Sequence, residues 1–433
     1  MKYASVLLAI TCLLSAVKAQ WLETTIQLPP GSNARALCYN SVDNKVYCGG
    51  SPEGILVIDG ATNSVIATVP SEGAGFVLCY NVRDNKVYSA GGSVVVIDCA
   101  GDTVIATVPL GSIALCYNSR DDKVYSTNDL YNGEVTVIDG ATNAVIATVE
   151  VGAEPCALCY NSRNSKVYCI NNNSNNVTVI DGASNSVLAT VAVRSNPISI
   201  CYNPQDNKVY CGNQGSGNVS VIDGATDRVV ATVTPTWCPL AFCHNSRNDR
   251  VYCAGTGSGS DSVRVIDGTT NSIIAAAPVG DYPSALCYNS QNNKVYCANT
   301  GGYPRPPDTT VTVIDGATNQ VLRTIAVGTG PRALAWNPVQ NRVYVGNGGS
   351  PCISVLRDSG GGIEESPKPQ APGSKPWPTI LSGASSVKRL ASCVVFDAMG
   401  RRVTNPSTGV YFVFEPQASS HKPQAVRKVI VQR

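Results

Sequence analysis

Cysteine is the residue that most invites a chemical reading of this 433-residue chain. Eighteen occur, and five pairs sit ten residues apart: Cys38/Cys48, Cys159/Cys169, Cys201/Cys211, Cys243/Cys253 and Cys287/Cys297. Thiols at fixed spacing can form disulfides, hold zinc or act as nucleophiles. If each pair lies on a hairpin, its partners face each other, and export would favour a bridge. Comparison within the chain points the other way. Cys79 and Cys116 persist where Ser89 and Ser126 replace the second member, as small packed side chains would. Disulfide geometry between adjacent strands is also demanding, so the reading adopted is packed thiols. Zinc fits poorly: C-x-x-C occurs once, at Cys156/Cys159, and the only imidazoles are His244 and His421.

A second recurrent group is the Asp of Ile-Asp-Gly, at Asp59, Asp98, Asp139, Asp181, Asp223, Asp267 and Asp315 (Asp98 precedes Cys99 in place of Gly). It suggests a ring of metal ligands, or a turn cap that accepts backbone N–H bonds. Turn chemistry explains it better, because symmetry-related turns would lie far apart. The chain shows no Gly-x-Ser-x-Gly elbow, phosphate loop, His-Glu-x-x-His or dinucleotide fingerprint. With two histidines in all, triad chemistry is not supported. The sequence therefore gives no catalytic residue, no metal site and no cofactor. A net charge of +2 does not imply nonspecific polyanion binding, and nucleic acid is not expected as a partner.

The elements that carry these residues repeat. The most regular unit reads Leu158-Cys-Tyr-Asn161, Lys166-Val-Tyr-Cys169, Val177-Thr-Val-Ile-Asp-Gly182 and Val187-Leu-Ala-Thr-Val191. The Asn closing the first phrase recurs at Asn40, Asn81, Asn118, Asn161, Asn203, Asn245, Asn289 and Asn337. A period near 40 with four short β-branched runs separated by polar turns predicts propeller blades of four strands, a to d from the axis outward. Runs such as Val94-Val-Val-Ile97 are apolar on both sides, as expected where neighbouring blades cover both faces. Seven units are complete. The eighth supplies only a, b and c, and residues 24–30 before the first unit read as its missing d strand. The count predicts an all-β, eight-bladed propeller closed by its N-terminal strand, with seven blades as the alternative.

Residues 1–19 read as a secretory signal, with Lys2, an apolar run, and Val17-Lys-Ala19 before Gln20. No other segment is long and apolar enough to be a transmembrane anchor. The propeller is expected over 20–358, a Pro/Gly-rich linker over 359–378, and a short, basic, strand-like tail over 379–433, expected to be β-sandwich-like.

The units resemble the YVTN-type β-propeller repeats of exported and surface proteins of bacteria and archaea. Lys-Val-Tyr at 45–47, 86–88, 123–125, 166–168, 208–210 and 294–296 carries the likeness. So does Val-Thr-Val-Ile-Asp-Gly at 135–140, 177–182 and 311–316. That resemblance implies a fold but no shared catalytic residues. The tail resembles the C-terminal sorting domain of type IX secretion cargo, through Val395-Phe-Asp-Ala-Met-Gly-Arg-Arg-Val403, Gly409-Val-Tyr-Phe-Val413 and Arg427-Lys-Val-Ile-Val431. It implies a bacterial protein that passes through the periplasm to the outer surface or medium, with the secretion machinery as a partner.

The a–b and c–d turns are nearly uniform, whereas the b–c and d–a loops vary and share one face. Variable loops on a rigid ring are where binding usually resides. Trp237, Tyr282, Tyr303, Arg305, Asp308 and Arg332 on that face are the candidate ligand-binding residues, for an unnamed protein or glycan. The function expected is a non-catalytic binding scaffold. A propeller enzyme of lactonase or quinoprotein type is the alternative, and would need acid/base groups converging at the channel mouth.

Overall fold

The computed structural model describes residues 20–71, 75–128, 133–234, 238–256, 261–302 and 306–358, and five strands between 380 and 432. The chain divides into two compact units, Met1–Ile363 and Glu364–Arg433. The expected signal and linker segments lie outside the described residues.

The first unit is the eight-bladed propeller. Blade 1 runs a Ala36–Asn40, b Lys45–Ser51, c Gly54–Asp59 and d Val65–Val69. Blades 2 to 7 repeat this order over 77–108, 115–150, 155–192, 197–233, 238–278 and 283–326. Each a strand packs against the a strands of both neighbours, closing an inner ring. Blade 8 takes a, b and c from 331–358, and its outer strand is Gln20–Gln27, antiparallel to Cys352–Asp358. Closure by the N-terminal strand is therefore as expected. The strand begins four residues earlier than its apolar pattern indicated and ends before Leu28-Pro-Pro30. The missing signal was Gln20 itself, a polar residue buried at 2% exposure because Asp358 accepts from its amide.

Why both sheet faces read as apolar is visible in blade 1. Val46 packs toward blade 8 with Tyr344 and Ile353, while Tyr47 packs toward blade 2 with Val87 and Ile97. The d strands depart from this rule. Their Val-Ile pairs, such as Val65/Ile66 and Val145/Ile146, are exposed on the circumference.

The described strands of the second unit form one five-stranded sheet, with order Ile380–Ser382, Val426–Gln432, Gly409–Phe414, Val394–Asp397, Arg402–Val403. A facing layer, as the expected sandwich would require, is not among the described residues.

Candidate ligand face

The two ends of the ring differ in how their side chains are used. On the a–b and c–d turn end, nearly every repeated polar group is consumed in joining blades. Asn40 accepts from the N–H groups of Val42 and Asp43, capping its own turn, and its Nδ2 donates to Asn85 of the next blade at 3.0 Å. The same bond recurs from Asn81 to Asp122, Asn118 to Ser165, Asn161 to Asn207, Asn203 to Asp249, Asn245 to Asn293 and Asn289 to Asn341. It closes from Asn337 to Asn44 at 2.9 Å. Each acceptor residue has positive φ, 51° to 57°. Asn and Asp tolerate that conformation best, and all eight donors are fully buried.

Lys-Val-Tyr forms a second girdle. Lys86 Nζ donates to the carbonyls of Gly140 and Ala141 and to Asn143 Oδ1, and Tyr88 donates to the same Oδ1. Asn143 is the positive-φ residue (φ 63°) of blade 3's c–d turn, so the Lys and Tyr of one blade clamp the turn of the next. The recurrent Asp is the cap read from the sequence. Asp59 Oδ1 accepts from the N–H and hydroxyl of Thr62, at 2.6 and 2.8 Å. Those bonds hold its carboxyl below the usual range. The one described imidazole, His244, stands at a Tyr position and faces Asp249 at 3.4 Å; burial lowers its pKa.

Cysteine chemistry is also absorbed by packing. Across the blade 1 hairpin Cys38 faces Tyr47 and Leu37 faces Cys48. The two thiols of a pair thus point to opposite faces, toward blades 2 and 8. The expectation that hairpin partners face each other is corrected by this one-residue offset. All sixteen described cysteines are free. Burial pushes the thiols of Cys48 and Cys79 up to about 12, the reverse of an activated nucleophile.

The b–c and d–a end is built differently. Backbone bonds pin its loops: the N–H of Tyr282 donates to Asp261 at 2.7 Å, that of Asp281 to Asp308 at 3.0 Å, and that of Asn196 to Asn175 at 2.9 Å. Tyr282 has φ 51° where Asn196 and Gly330 occupy the matching turns. A Tyr there costs roughly 1 kcal/mol, and the residue is left 43% exposed. Asp308 also accepts from Thr310 at 2.8 Å, so its carboxylate braces the loop. Arg332 is exposed beside Gly348. Trp237, Tyr303 and Arg305 lie outside the described residues.

Residues missed from the sequence stand at or just before the start of each a strand. In blades 4 to 8 one residue there has no partner on the b strand, for example between Pro331 and Ala333. The matching positions carry Arg35, Phe76, Ile113, Cys156, Ile198, Leu240, Ser284 and Arg332. Aligning the repeats two residues before Leu-Cys-Tyr would have found them, because this place varies within an otherwise uniform strand. A groove of about 580 Å³ lies elsewhere, between the outer strands of blades 1 and 2 along Thr68, Ser93, Asp102 and Thr107. Its one carboxylate, Asp102, is already held by Lys45 and Tyr47.

The YNCE-like beta-propeller family matches residues 2–341. No curated protein matches the chain. Among solved structures, the computationally designed Ika8 protein is 20% identical with a TM-score of 0.63, over 78% of this chain and 100% of its own. Saccharomyces cerevisiae Sqt1 is 11% identical with a TM-score of 0.66, over 79% and 99%. These likenesses concern the fold alone. The chain belongs to the YNCE-like β-propeller family.

Proposed function

We propose that this YNCE-like propeller is a non-catalytic binding scaffold, exported to the cell surface or medium, whose ligand sits on the b–c and d–a loop face. One contrast carries the reading. The uniform face spends its polar groups on inter-blade bonds, whereas the opposite face presents exposed side chains that differ from blade to blade on loops pinned by backbone hydrogen bonds. Rigid support with variable tips is the arrangement that binding uses. Export and a bacterial source are proposed on the signal-like 1–19 and on the likeness of 395–431 to a type IX sorting domain.

The test is a screen of the purified chain against glycan, peptide and metabolite panels, with Tyr282→Ala and Arg332→Ala beside Val42→Ser, an exposed control on the opposite end. The scaffold reading expects a ligand weakened by the first two changes and untouched by the third. Turnover of a lactone, or redox activity dependent on an added quinone, would show the enzyme reading to be right instead.

A further inference from the structure

The rim of the channel on the loop face is chemically lopsided. Blades 8 and 1 adjoin across the seam of the ring, and their residues at this rim position are Arg332, which has no b-strand partner, and Arg35, whose backbone N–H donates to Gly49. Going round, blades 2 to 6 contribute Phe76, Ile113, Cys156, Ile198 and Leu240. Both arginines are exposed, and neither has an ion pair among the described residues. That includes Glu53 on blade 1's b–c turn. Arg35 Cζ lies over the Phe76 ring, 5.1 Å from its centroid, so the guanidinium is held on an apolar face. Arg332 lies against Gly348, where a Cβ would come within 2.6 Å of its Cδ, and Asn33 Oδ1, a buried acceptor with no donor, flanks the same glycine. Below the rim, Leu37, Leu78 and Leu115 on the innermost strands pack against the inter-blade cores and are only partly buried, which leaves apolar surface beneath the rim.

We propose that this mouth binds a small amphiphile with a compact anionic head. The head is a carboxylate or a phosphate monoester, held by Arg35 and Arg332, and the aliphatic body lies over Phe76, Ile113 and the leucines beneath. Arginine's fork suits planar or tetrahedral oxyanions, and the apolar arc gives the tail a surface to leave water for. This inference rests on the scaffold reading and names the ligand class of the same face.

Titration calorimetry of the full chain with octanoate, octyl phosphate, octanol and acetate tests it. Saturable binding of octanoate or octyl phosphate is expected, and the tighter of the two identifies the head. Octanol and acetate should each bind at least tenfold more weakly. The Arg35→Ala/Arg332→Ala double variant should lose roughly tenfold or more in affinity, and Val42→Ser nothing. Both arginines are exposed, so the double variant should keep the wild-type melting temperature. Octanol binding as well as octanoate, or the double variant binding as well as wild type, overturns the proposal. So does the absence of binding by both anionic amphiphiles. If that happens while a panel ligand still depends on Tyr282, this inference fails and the scaffold reading stands.

Discussion

Asp358 is where the ring's closure can be broken by one side chain. In blades 1 to 7 the c strand runs into a turn whose carbonyls and positive-φ residue receive the Tyr of the preceding blade and its Lys, or Arg342 and Arg250 for the turns of blades 1 and 7. Blade 8 has no such turn, and the carboxylate of Asp358 takes its place. Lys294 Nζ donates to Oδ1 at 2.6 Å, Gln20 Nε2 to the same oxygen at 3.2 Å, and Asn289 Nδ2 to Oδ2 at 2.8 Å. The side chains of Lys294 and Asp358 are 2% and 0% exposed. Asp358→Ala leaves a buried ammonium without its counter-ion, while Asn289 keeps its bond to Asn341. Removing one member of a buried pair costs about 3–5 kcal/mol. At roughly 2 °C per kcal/mol for a domain of this size, the melting temperature should fall by about 6–10 °C. Asp59→Ala, which removes an exposed turn cap, should cost only about 1 kcal/mol. Replacing both partners, as Lys294→Met with Asp358→Leu, should recover most of the loss, since buried pairs exchange for apolar residues at little net cost. Calorimetric unfolding of the four proteins makes the comparison. If Asp358→Ala melts within 2 °C of Asp59→Ala, or if the double variant melts below Asp358→Ala, the carboxylate does not close the ring.

Deleting residues 20–30 should destabilise the propeller more than Asp358→Ala, because it also removes the Arg342–Glu23 bidentate pair (2.6 and 2.7 Å) and bares an edge of blade 8; an unchanged melting temperature refutes strand closure. Asn161→Ala should cost about 2–4 kcal/mol, since the a–b turn loses its cap and the positive-φ Asn207 loses a buried donor; a loss under 1 kcal/mol would mean that the asparagine ring is incidental. Mass spectrometry after denaturing alkylation should count every described cysteine as free, and Cys159 linked to Cys169 would contradict the opposed faces. Thiols with a folded pKa near 12 and an unfolded value near 9 bind more protons in the native state between those limits, so stability should fall as pH rises from about 9 toward 12. Tyrosines contribute in the same direction, so the check is that a Cys48→Ala/Cys79→Ala variant falls less steeply. Removing 379–433 should leave a folded propeller that stays in the periplasm of its host; arrival of the truncated protein at the surface would end the sorting role.

The fold was legible because a repeat makes its own controls. Four runs per unit, a missing d strand at one end and a surplus one at the other determine the blade count and the closure without any tertiary information. The turn role of Asp59 could be read in the same way, from Asp-Gly followed by Thr and Asn. What could not be read was face. Cys38 and Cys48 are ten residues apart, and whether they meet depends on a register in which Leu37, not Cys38, is opposite Cys48. Spacing alone does not contain that one-residue offset. The bridge from Lys86 to Asn143 was equally hidden, because 57 residues and a blade boundary separate the partners.

The candidate site was harder still, for a physical reason. Loop length drew attention to the large insertions around Tyr303 and Arg305, yet in a propeller the ligand approaches along the axis, and the rim is made by the inner strand. The residue that varies there is single and lies at or just before the start of the a strand, and in blades 4 to 8 it is distinguished only by having no partner on its neighbour. In blades 4 to 8 the residue at this place stands outside the a–b ladder, so strand pairing does not fix its identity. Variation at that place therefore changes what the mouth presents without disturbing the ring. The eight matching positions are cationic at the seam and apolar through blades 2 to 6, and on the reading proposed above that asymmetry is what gives a uniform ring a directional mouth.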